Sequence, residues 1–237
     1  MRIFITSGGT KVPIDPVRDI TNMSRGTFGS KIAAAALNQG HDVFYLVSKD
    51  GRTPFTMTVN WFLDDSKYVT ENFLTQQEWC RSMKSRYQEA RYRNYEDYAV
   101  ALREGLVAYK PDIIILAAAV SDYLTDASET KVRSGDALTI HLKPAEKLIG
   151  HVKEWCPSAF LVGFKLLVDE SQENLLTAAV HSIQKNKCDM VVANDFVSLL
   201  AGNHEIMLVQ PVDPKVVIIK NDLAEQVVRR AVERAGG

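Results

Sequence analysis

The sequence predicts an α/β fold in which a doubly wound, mainly parallel sheet carries helices on both faces. Three observations support this class. Strand patterns alternate with helix patterns along most of the chain. The run 113–118 is apolar at every residue, which is typical of a strand buried on both faces. Two glycine-containing loops, at 7–10 and 22–29, lie between the first strand pattern and the first helix pattern, as in Rossmann-like folds.

The elements are predicted in chain order. An opening strand covers 2–7, an alanine-rich helix covers 29–39, and a second strand covers 42–47. The remaining elements are strands at 113–118, 161–164, 190–193 and 216–219, with helices that begin near Ala145, Asp169 and Asp222. Because helical connections separate these strands, we expect the strands to run parallel.

An insertion around 51–108 interrupts this alternation. Within it, 57–62 is a possible strand, and 77–108 is predicted to form one long polar helix. Four tyrosines of that segment recur at roughly helical spacing, which favours a partly buried amphipathic face over a base-stacking platform: Tyr87, Tyr92, Tyr95 and Tyr98.

A second interruption, around 121–143, is polar and poor in helix formers, and it ends in an alternating strand pattern at 138–142. We interpret it as a flap beside a site. No clear linker divides the chain, so a single domain over 1–237 is expected.

Composition and charge limit the function classes. The formal net charge is −1, which gives no global attraction to nucleic acid or to an anionic membrane. No apolar stretch reaches the ~20 residues of a membrane span, and the chain opens on a strand pattern rather than a signal segment. Three widely spaced cysteines are typical of reduced thiols. We therefore expect a soluble, cytoplasmic protein with no nucleic-acid or membrane partner.

The two glycine-containing loops are candidate phosphate sites. Gly8 and Gly9 lie in the first loop with Thr10, and Ser24 and Gly26 lie in the second. Glycine lets the backbone approach a ligand closely, and a helix start offers unpaired N–H groups at the positive end of the helix dipole. The first loop lacks the G-x-G-x-x-G pattern of dinucleotide-binding proteins, so an ordinary tight turn is its alternative.

Two polar residues precede the first predicted helix. Arg18 would either pair with Asp15 or Asp19, or hold a phosphate with its planar guanidinium. Asn22 would either cap the helix or a turn, or donate its amide to a developing oxyanion. The sequence alone leaves these alternatives open.

A second group of candidates follows the apolar strand at 113–118. Ala118 and Ala119 are small enough to let a ligand lie against the backbone at the carboxyl end of a central strand. Asp122 would bind a hydroxyl, a cation or Lys131, with close packing and a capping role as its alternative. Lys131 would close over phosphates from the flap, or would simply be solvated. The five histidines show no ligand-like spacing, so no zinc site is predicted.

In these motifs the chain resembles phosphopantothenate–cysteine ligase, also called phosphopantothenoylcysteine synthetase, in its free-standing bacterial form. The opening signature lies in 7–10 and 13–22. Later blocks match in the same order, namely Ala-Val-Ser-Asp-Tyr at 119–123, 161–169, and Val-Ala-Asn-Asp at 192–195. The resemblance covers about residues 1–50 and 110–235.

The resemblance implies a two-step ligation in coenzyme A synthesis. CTP or ATP, with Mg²⁺, would activate the carboxylate of 4′-phosphopantothenate as an acyl-nucleotide, and the amine of cysteine would then form the amide. Because bacterial members favour CTP, we expect CTP here. The metal ligands are left unknown.

The resemblance also implies roles for individual residues. Lys131 would stabilise charge while the acyl-nucleotide forms, and Asn22 would hold the acyl carbonyl during attack by cysteine. Ala118, Asp122 and Phe164 would line the nucleotide site, which the two glycine loops would complete. Ala119 and Arg18 would contact phosphopantothenate. Family members are homodimers, so Arg18 would act on the ligand of the neighbouring subunit.

Two departures keep other hypotheses open. Arg25 stands where family members carry a small residue, and the tyrosine-rich segment 77–108 has no match in the family pattern. These departures suggest a non-catalytic relative that binds nucleotide, while the glycine-rich first turn suggests an NAD(P)-dependent oxidoreductase on a similar fold.

Overall fold

Eight strands form the central sheet of the computed structural model, which describes residues 1–57, 66–133, 135, 137–200, 205–211 and 216–236. In chain order, the strands of the described residues are β1 Arg2–Ser7, β2 Lys11–Asp15, β3 Arg18–Thr21, β4 Asp42–Ser48, β5 Tyr87–Tyr92, β6 Ile113–Leu116, β7 Tyr123–Thr125, β8 Leu142–Pro144, β9 Phe160–Leu167, β10 Met190–Asp195, β11 Ile206–Val209 and β12 Val217–Ile219. The central sheet has the order β12-β11-β10-β9-β6-β1-β4-β5, and two hairpins, β2–β3 and β7–β8, stand outside it.

The six strands from β10 to β5 are parallel, whereas β11 and β12 are antiparallel additions at one edge. The predicted doubly wound, mainly parallel sheet is therefore confirmed. Strand order reverses beside β1, where the chain moves outward to β4 on one side and to β6 on the other. Open sheets of this kind bind ligands at such a point, beyond the carboxyl ends of the strands.

Helices cover both faces of the sheet. They are α1 Thr27–Asn38, α2 Ser66–Met83, α3 Tyr95–Tyr109, α4 Val152–Trp155, α5 Gln172–Asn186, α6 Phe196–Leu200 and α7 Leu223–Ala235. Two short 3₁₀ turns, Lys84–Arg86 and Leu148–His151, precede β5 and α4.

Two apolar cores lie on opposite faces of the sheet. One packs α3, α4 and α5 against side chains such as Phe4 and Ile114, and the other packs α1 and α7 against Ile5 and Ile115. Successive residues of β1 and β6 thus point to opposite cores, which explains why the run at 113–116 is apolar throughout. Both faces of the central strands are covered, as the sequence pattern predicted.

The predicted long helix at 77–108 is wrong. The structure ends α2 at Met83, places the edge strand β5 at Tyr87–Tyr92 and starts α3 at Tyr95. The cause of the break is visible at Asn94, whose side chain accepts the backbone N–H of Asp97 while the Asp97 carboxylate accepts the Asn94 N–H. This capping box marks the start of a new helix.

The tyrosines of this segment are buried, but for a different reason than helical spacing. Tyr92 lies on the strand β5, while Tyr95 and Tyr98 lie on α3, and all three belong to the core. Tyr87, also on β5, is partly buried against the core of the opposite face.

Other predictions also need correction, and some elements were missed. The helix predicted at 29–39 begins two residues earlier, at Thr27. The alternating pattern at 138–142 contributes only Leu142 to a strand, since β8 covers Leu142–Pro144. The β2–β3 hairpin and β11 were not predicted. The possible strand at 57–62 falls, apart from Met57, outside the described residues.

Candidate active site

The candidate site lies at the carboxyl ends of β1 and β6. Beyond β1 the chain continues alongside the segment that follows β6: the Ala119 N–H donates to the Gly8 carbonyl at 2.7 Å, and the Thr10 N–H donates to the Ala119 carbonyl at 3.3 Å. The Ala118 N–H donates to Thr6 Oγ1 at 3.2 Å. The glycine turn and the alanine segment are thereby held side by side at the carboxyl edge of the sheet.

Close packing requires glycine in this turn. Gly8 has a φ of +87°, and a Cβ there would lie 2.0 Å from Ser48 Oγ. Gly26, which begins α1, has a φ of +73°, and its Cβ would lie 2.6 Å from Ser7 Oγ. Backbone conformation and packing within the protein thus both favour glycine at these two positions.

The start of α1 is suited to an anion. Gly26 is the N-cap residue of α1, and among the described residues no side chain caps this end of the helix. The first turn of α1 carries no acidic residue. Its N–H groups therefore remain available at the positive end of the helix dipole. Ser24 lies next to this terminus, with its Oγ 3.4 Å from the Gly26 N–H.

Asn22 lies between the glycine turn and the alanine segment. Its side-chain Nδ2 donates to the Ala119 carbonyl at 2.9 Å. The preceding residue, Thr21, donates from Oγ1 to the Thr10 carbonyl at 3.2 Å. Asn22 does not cap α1, because Gly26 begins that helix, so the helix-cap alternative is wrong. An amide has two N–H donors, and one of them remains for a ligand.

Arg18 takes one of the roles that the sequence left open. Its Nη1 donates to Asp15 Oδ2 at 3.0 Å, and its Nη2 donates to the Val132 carbonyl in the flap at 3.2 Å. The side chain is still 38% exposed. Asp19, the other candidate partner, is paired with Arg93 instead, at 3.3 Å. A contact between Arg18 and phosphopantothenate stays a prediction.

Lys131 lies in the flap beside Val132, and its side chain is exposed. Val132 is held at the turn of the β2–β3 hairpin, whereas Asn22 follows the opposite end of that hairpin. The intervening strand has five residues and spans about 13 Å. Lys131 and Asn22 thus lie beside opposite ends of the hairpin, and the contact of both residues with one ligand stays a prediction.

Asp122 pairs with Lys147 and not with Lys131, and its backbone carbonyl accepts the Ala145 N–H at 2.8 Å. Phe164, on β9, packs edge-on against Phe28 in the first turn of α1, with ring centroids 6.0 Å apart. Phe164 thus lies beside the helix terminus described above. Thr10 is tied to the alanine segment through Ser121, whose N–H donates to Thr10 Oγ1 at 2.8 Å.

A cleft of about 1000 Å³ opens between the start of α1 and the start of α7. Its described lining includes Ser24, Arg25, Gly26, Phe28, Asn194 and Lys220. Asn194 and Lys220 were not predicted as site residues. Asn194 lies at the carboxyl end of the β10 strand, and that position is the signal that could have identified it.

Two aspartates near this edge are held in the charged form. The backbone N–H of Ser198 lowers the pKa of Asp195, which also accepts the Glu170 N–H. The backbone N–H of Val17 lowers the pKa of Asp15, with further contributions from Val132 and Arg18. Among the described residues, no three His, Cys, Asp or Glu side chains form a group that could hold a metal ion.

The fold and the site together define an α/β protein with a ligand cleft at the carboxyl edge of a parallel sheet. The family model for the C-terminal domain of the DNA/pantothenate metabolism flavoprotein matches residues 1–62 and 99–234, and the chain belongs to this family. The unmatched residues, 63–98, contain α2 and β5.

Individual relatives agree with this assignment. The chain is 32% identical over 209 residues to the coenzyme A biosynthesis bifunctional protein CoaBC of Thermococcus kodakarensis, covering 88% of this chain but only 44% of that protein. It is 28% identical over 263 residues to human phosphopantothenate–cysteine ligase, covering 98% and 81% of the two chains. The chain thus spans less than half of the first relative and most of the second.

Solved structures show the same fold. The DNA/pantothenate metabolism flavoprotein from Streptococcus pneumoniae superposes with a TM-score of 0.77 and 27% identity, covering 99% of each chain. A mutant of Cab2 in complex with phosphopantothenate-cysteine gives a TM-score of 0.86 at 23% identity, covering 99% of this chain and 86% of that one. In the part of this chain that the structure describes, no helix is long and apolar enough to cross a membrane.

Proposed function

We propose that this chain is a phosphopantothenate–cysteine ligase that works through an acyl-nucleotide. One observation carries the proposal: the glycine turn, the uncapped start of α1 and the Asn22 amide meet at one edge of the sheet. The first two offer N–H groups to phosphates, and the third offers a neutral donor to a carbonyl oxygen. A carboxylate that must be nucleotidylated and then attacked by an amine needs both.

In the first step, a carboxylate oxygen of 4′-phosphopantothenate attacks the α-phosphorus of CTP or ATP, and pyrophosphate leaves. Lys131 lowers the energy of the transition state because its ammonium offsets the charge that is redistributed over the phosphate oxygens. Mg²⁺ would accompany the nucleotide and would offset the charge of its phosphates, held mostly by phosphate oxygens and water rather than by protein carboxylates.

In the second step, the amine of cysteine attacks the acyl carbon. The nucleoside monophosphate leaves, and the amine loses a proton as the amide forms. Asn22 keeps one N–H on the Ala119 carbonyl, which orients the second N–H toward the oxygen that becomes negative. Ala119 lines the substrate side of this edge.

The nucleotide is proposed to bind along the two glycine loops and into the cleft beside α1. Gly8 and Gly9 contact phosphate through backbone N–H groups, Ser24 contributes its hydroxyl, and Thr10 and Gly26 shape the two loops. Phe164 and Ala118 provide an apolar wall, and Asp122 is the acidic side chain of this site. Asn194 is added to this set because it lines the same cleft. CTP remains the preferred nucleotide.

The active form is proposed to be a homodimer. The β2–β3 hairpin exposes Val17 at 64% and Ile20 at 38%, and Met23, which follows the hairpin, is 83% exposed. Apolar surface of this kind is available for association. In the dimer, the exposed part of Arg18 contacts the phosphopantothenate of the neighbouring subunit.

The test is release of pyrophosphate from four mixtures. The complete mixture holds protein, 4′-phosphopantothenate, cysteine and Mg²⁺ with CTP or ATP, and each of the others omits cysteine, the acid or the nucleotide. We expect sustained release only in the complete mixture and a single turnover without cysteine. Absence of release with either nucleotide would contradict the proposal.

A further inference from the structure

We infer that Asp15 is a positioning residue that anchors the flap to the β2–β3 hairpin and thereby sets the location of Lys131. The inference rests on the proposed function only for the role of Lys131; the anchor itself is a structural claim. Asp15 touches neither of the proposed reaction centres; it binds the flap at Val132 and the side chain of Arg18.

Asp15 is a buried carboxylate with three donors, two from the hairpin and one from the flap. It is 2% exposed. Its Oδ1 accepts the Val17 N–H at 2.9 Å within the hairpin turn. Its Oδ2 accepts Arg18 Nη1 at 3.0 Å and the Val132 N–H at 3.1 Å. Bonds to a charged acceptor are stronger than neutral ones, so this carboxylate joins the hairpin and the flap firmly.

Both backbone polar groups of Val132 are hydrogen-bonded. Its N–H donates to Asp15, and its carbonyl accepts Arg18 Nη2. Two further contacts dock the earlier part of the flap on the same hairpin: the Ser128 N–H donates to the Ile14 carbonyl at 2.9 Å, and Thr125 Oγ1 donates to the Pro13 carbonyl. The backbone beside Lys131 is therefore held in place.

The Lys131 side chain, in contrast, is not engaged. It is exposed, and within the described ranges it makes no ion pair or hydrogen bond. A fixed backbone with a free ammonium is the arrangement expected of a lysine that waits for an anionic ligand. The anchor fixes the backbone from which the Lys131 side chain extends.

Asp15→Asn tests the anchor with little change in shape. An asparagine retains one acceptor oxygen, but its NH₂ group cannot accept a hydrogen bond. The side chain therefore cannot serve both the Val17 N–H and the Val132 N–H. The matched control is Asp19→Asn, on the same hairpin, because Asp19 pairs with Arg93 rather than with the flap.

The first readout is cleavage by trypsin after Lys131, followed by mass spectrometry. We expect about tenfold faster cleavage at this bond in Asp15→Asn, because proteolysis requires the flap to leave the hairpin. Asp19→Asn should match the wild type. Unchanged cleavage in a folded Asp15→Asn protein would overturn the anchor.

A second measurement needs no variant. Hydrogen exchange of the wild-type protein should show the Val132 amide at least about tenfold slower than the neighbouring Arg133 amide, because only the former is bound to a buried carboxylate. Exchange of Val132 at the rate of an unstructured peptide would overturn the anchor even if Asp15→Asn failed to fold.

A kinetic cycle tests the positioning of Lys131. In single-turnover release of pyrophosphate, Asp15→Asn should be about tenfold slower than the wild type, while the KM for cysteine in steady-state assays should be unchanged. In a Lys131→Ala background the same substitution should change the rate less than about twofold, because its effect passes through the lysine. Multiplicative effects would overturn the positioning role. A wild-type protein that releases no pyrophosphate would refute the proposed function, while the trypsin and exchange results would still decide the anchor.

Discussion

The Asn22 amide donates one of its N–H groups to the Ala119 carbonyl, so the orientation of the side chain is fixed before any ligand binds. Replacing the amide by a carboxylate would remove this donor and would place an acceptor against the carbonyl. We predict that Asn22→Asp forms the acyl-nucleotide but transfers it to cysteine about 10²–10³-fold more slowly.

The measurement is a quenched time course that follows the acyl-nucleotide and the amide product separately. The intermediate should accumulate in Asn22→Asp and stay low in the wild type. If both steps slowed equally, the assignment of Asn22 to the second step would be wrong.

Lys131 is assigned to the first step. We predict that Lys131→Ala slows single-turnover release of pyrophosphate about 10²–10³-fold, because a preorganised cation at the reacting phosphate is lost. Lys185→Ala is the control, since Lys185 is an exposed lysine in the last turn of α5, away from the site. Equal rates for Lys131→Ala and the control would remove Lys131 from the mechanism.

His151 gives the structure a pH-dependent contact. Its ring lies between two carboxylates, with Nδ1 3.2 Å from Glu154 and Nε2 2.8 Å from Glu146, and these partners raise its pKa above 6.5. A raised pKa means that the folded state binds the proton more tightly, so the stabilisation is full below about pH 6.5. It is lost as the pH rises through the pKa of the folded state.

We therefore predict that His151→Gln lowers the Tm at pH 5.5 and has a smaller effect at pH 9. Thermal unfolding across this range checks the prediction, with His181→Gln as a control at an exposed histidine of α5. A Tm difference that grows with pH would contradict it.

Among the elements, β5 contacts the strand end that leads into the glycine turn. The Tyr92 hydroxyl donates to the Ser7 carbonyl at 2.8 Å, directly before the glycine turn. The Tyr98 hydroxyl on α3 makes a longer contact of 3.5 Å with Thr6 Oγ1. Both side chains are 2% exposed, so the two hydroxyls differ mainly in the quality of the hydrogen bond.

We predict that Tyr92→Phe lowers the free energy of unfolding by about 1–2 kcal/mol and that Tyr98→Phe lowers it by less. Denaturant unfolding of the two variants measures this difference. A larger loss in Tyr98→Phe would show that the Ser7 contact contributes little.

The accuracy of the sequence-based predictions differs between these elements for physical reasons. β1 and β6 are apolar on both faces, and their pattern has no competing interpretation. β5 is an edge strand whose residues are mostly exposed or half-buried, and its tyrosines happened to match a helical period. The capping box of Asn94 and Asp97 was the local signal that could have placed the start of α3.

The site was predicted unevenly for a similar reason. Gly8 and Gly26 could be predicted from their residue type alone, because their backbone conformation and packing favour glycine. The partners of Arg18 and Asp122 depend on segments distant in sequence, namely Val132 and Lys147. The β2–β3 hairpin contains Pro13, a residue that disfavours strand pairing. The hairpin on which the flap docks was therefore not predicted.

For the whole molecule, we propose a single domain, since the described strands outside the two hairpins share one sheet and both cores extend along it.

We also predict that light scattering gives twice the chain mass of 26.5 kDa, because the exposed hairpin lies beside the site. The variant Met23→Glu should shift the mass toward one chain, since it places a charge in the proposed interface. A wild-type mass of one chain would contradict the dimer.

The central claim is that this fold transfers a nucleotide to a carboxylate before it forms an amide. The most direct measurement uses CTP or ATP labelled at the α-phosphate, incubated with Mg²⁺, protein and 4′-phosphopantothenate, then quenched and separated. The account predicts labelled acyl-nucleotide in amounts comparable to the protein, which disappears with release of nucleoside monophosphate once cysteine is added. Amide formation in which the α-phosphate never becomes bound to the acid would contradict it.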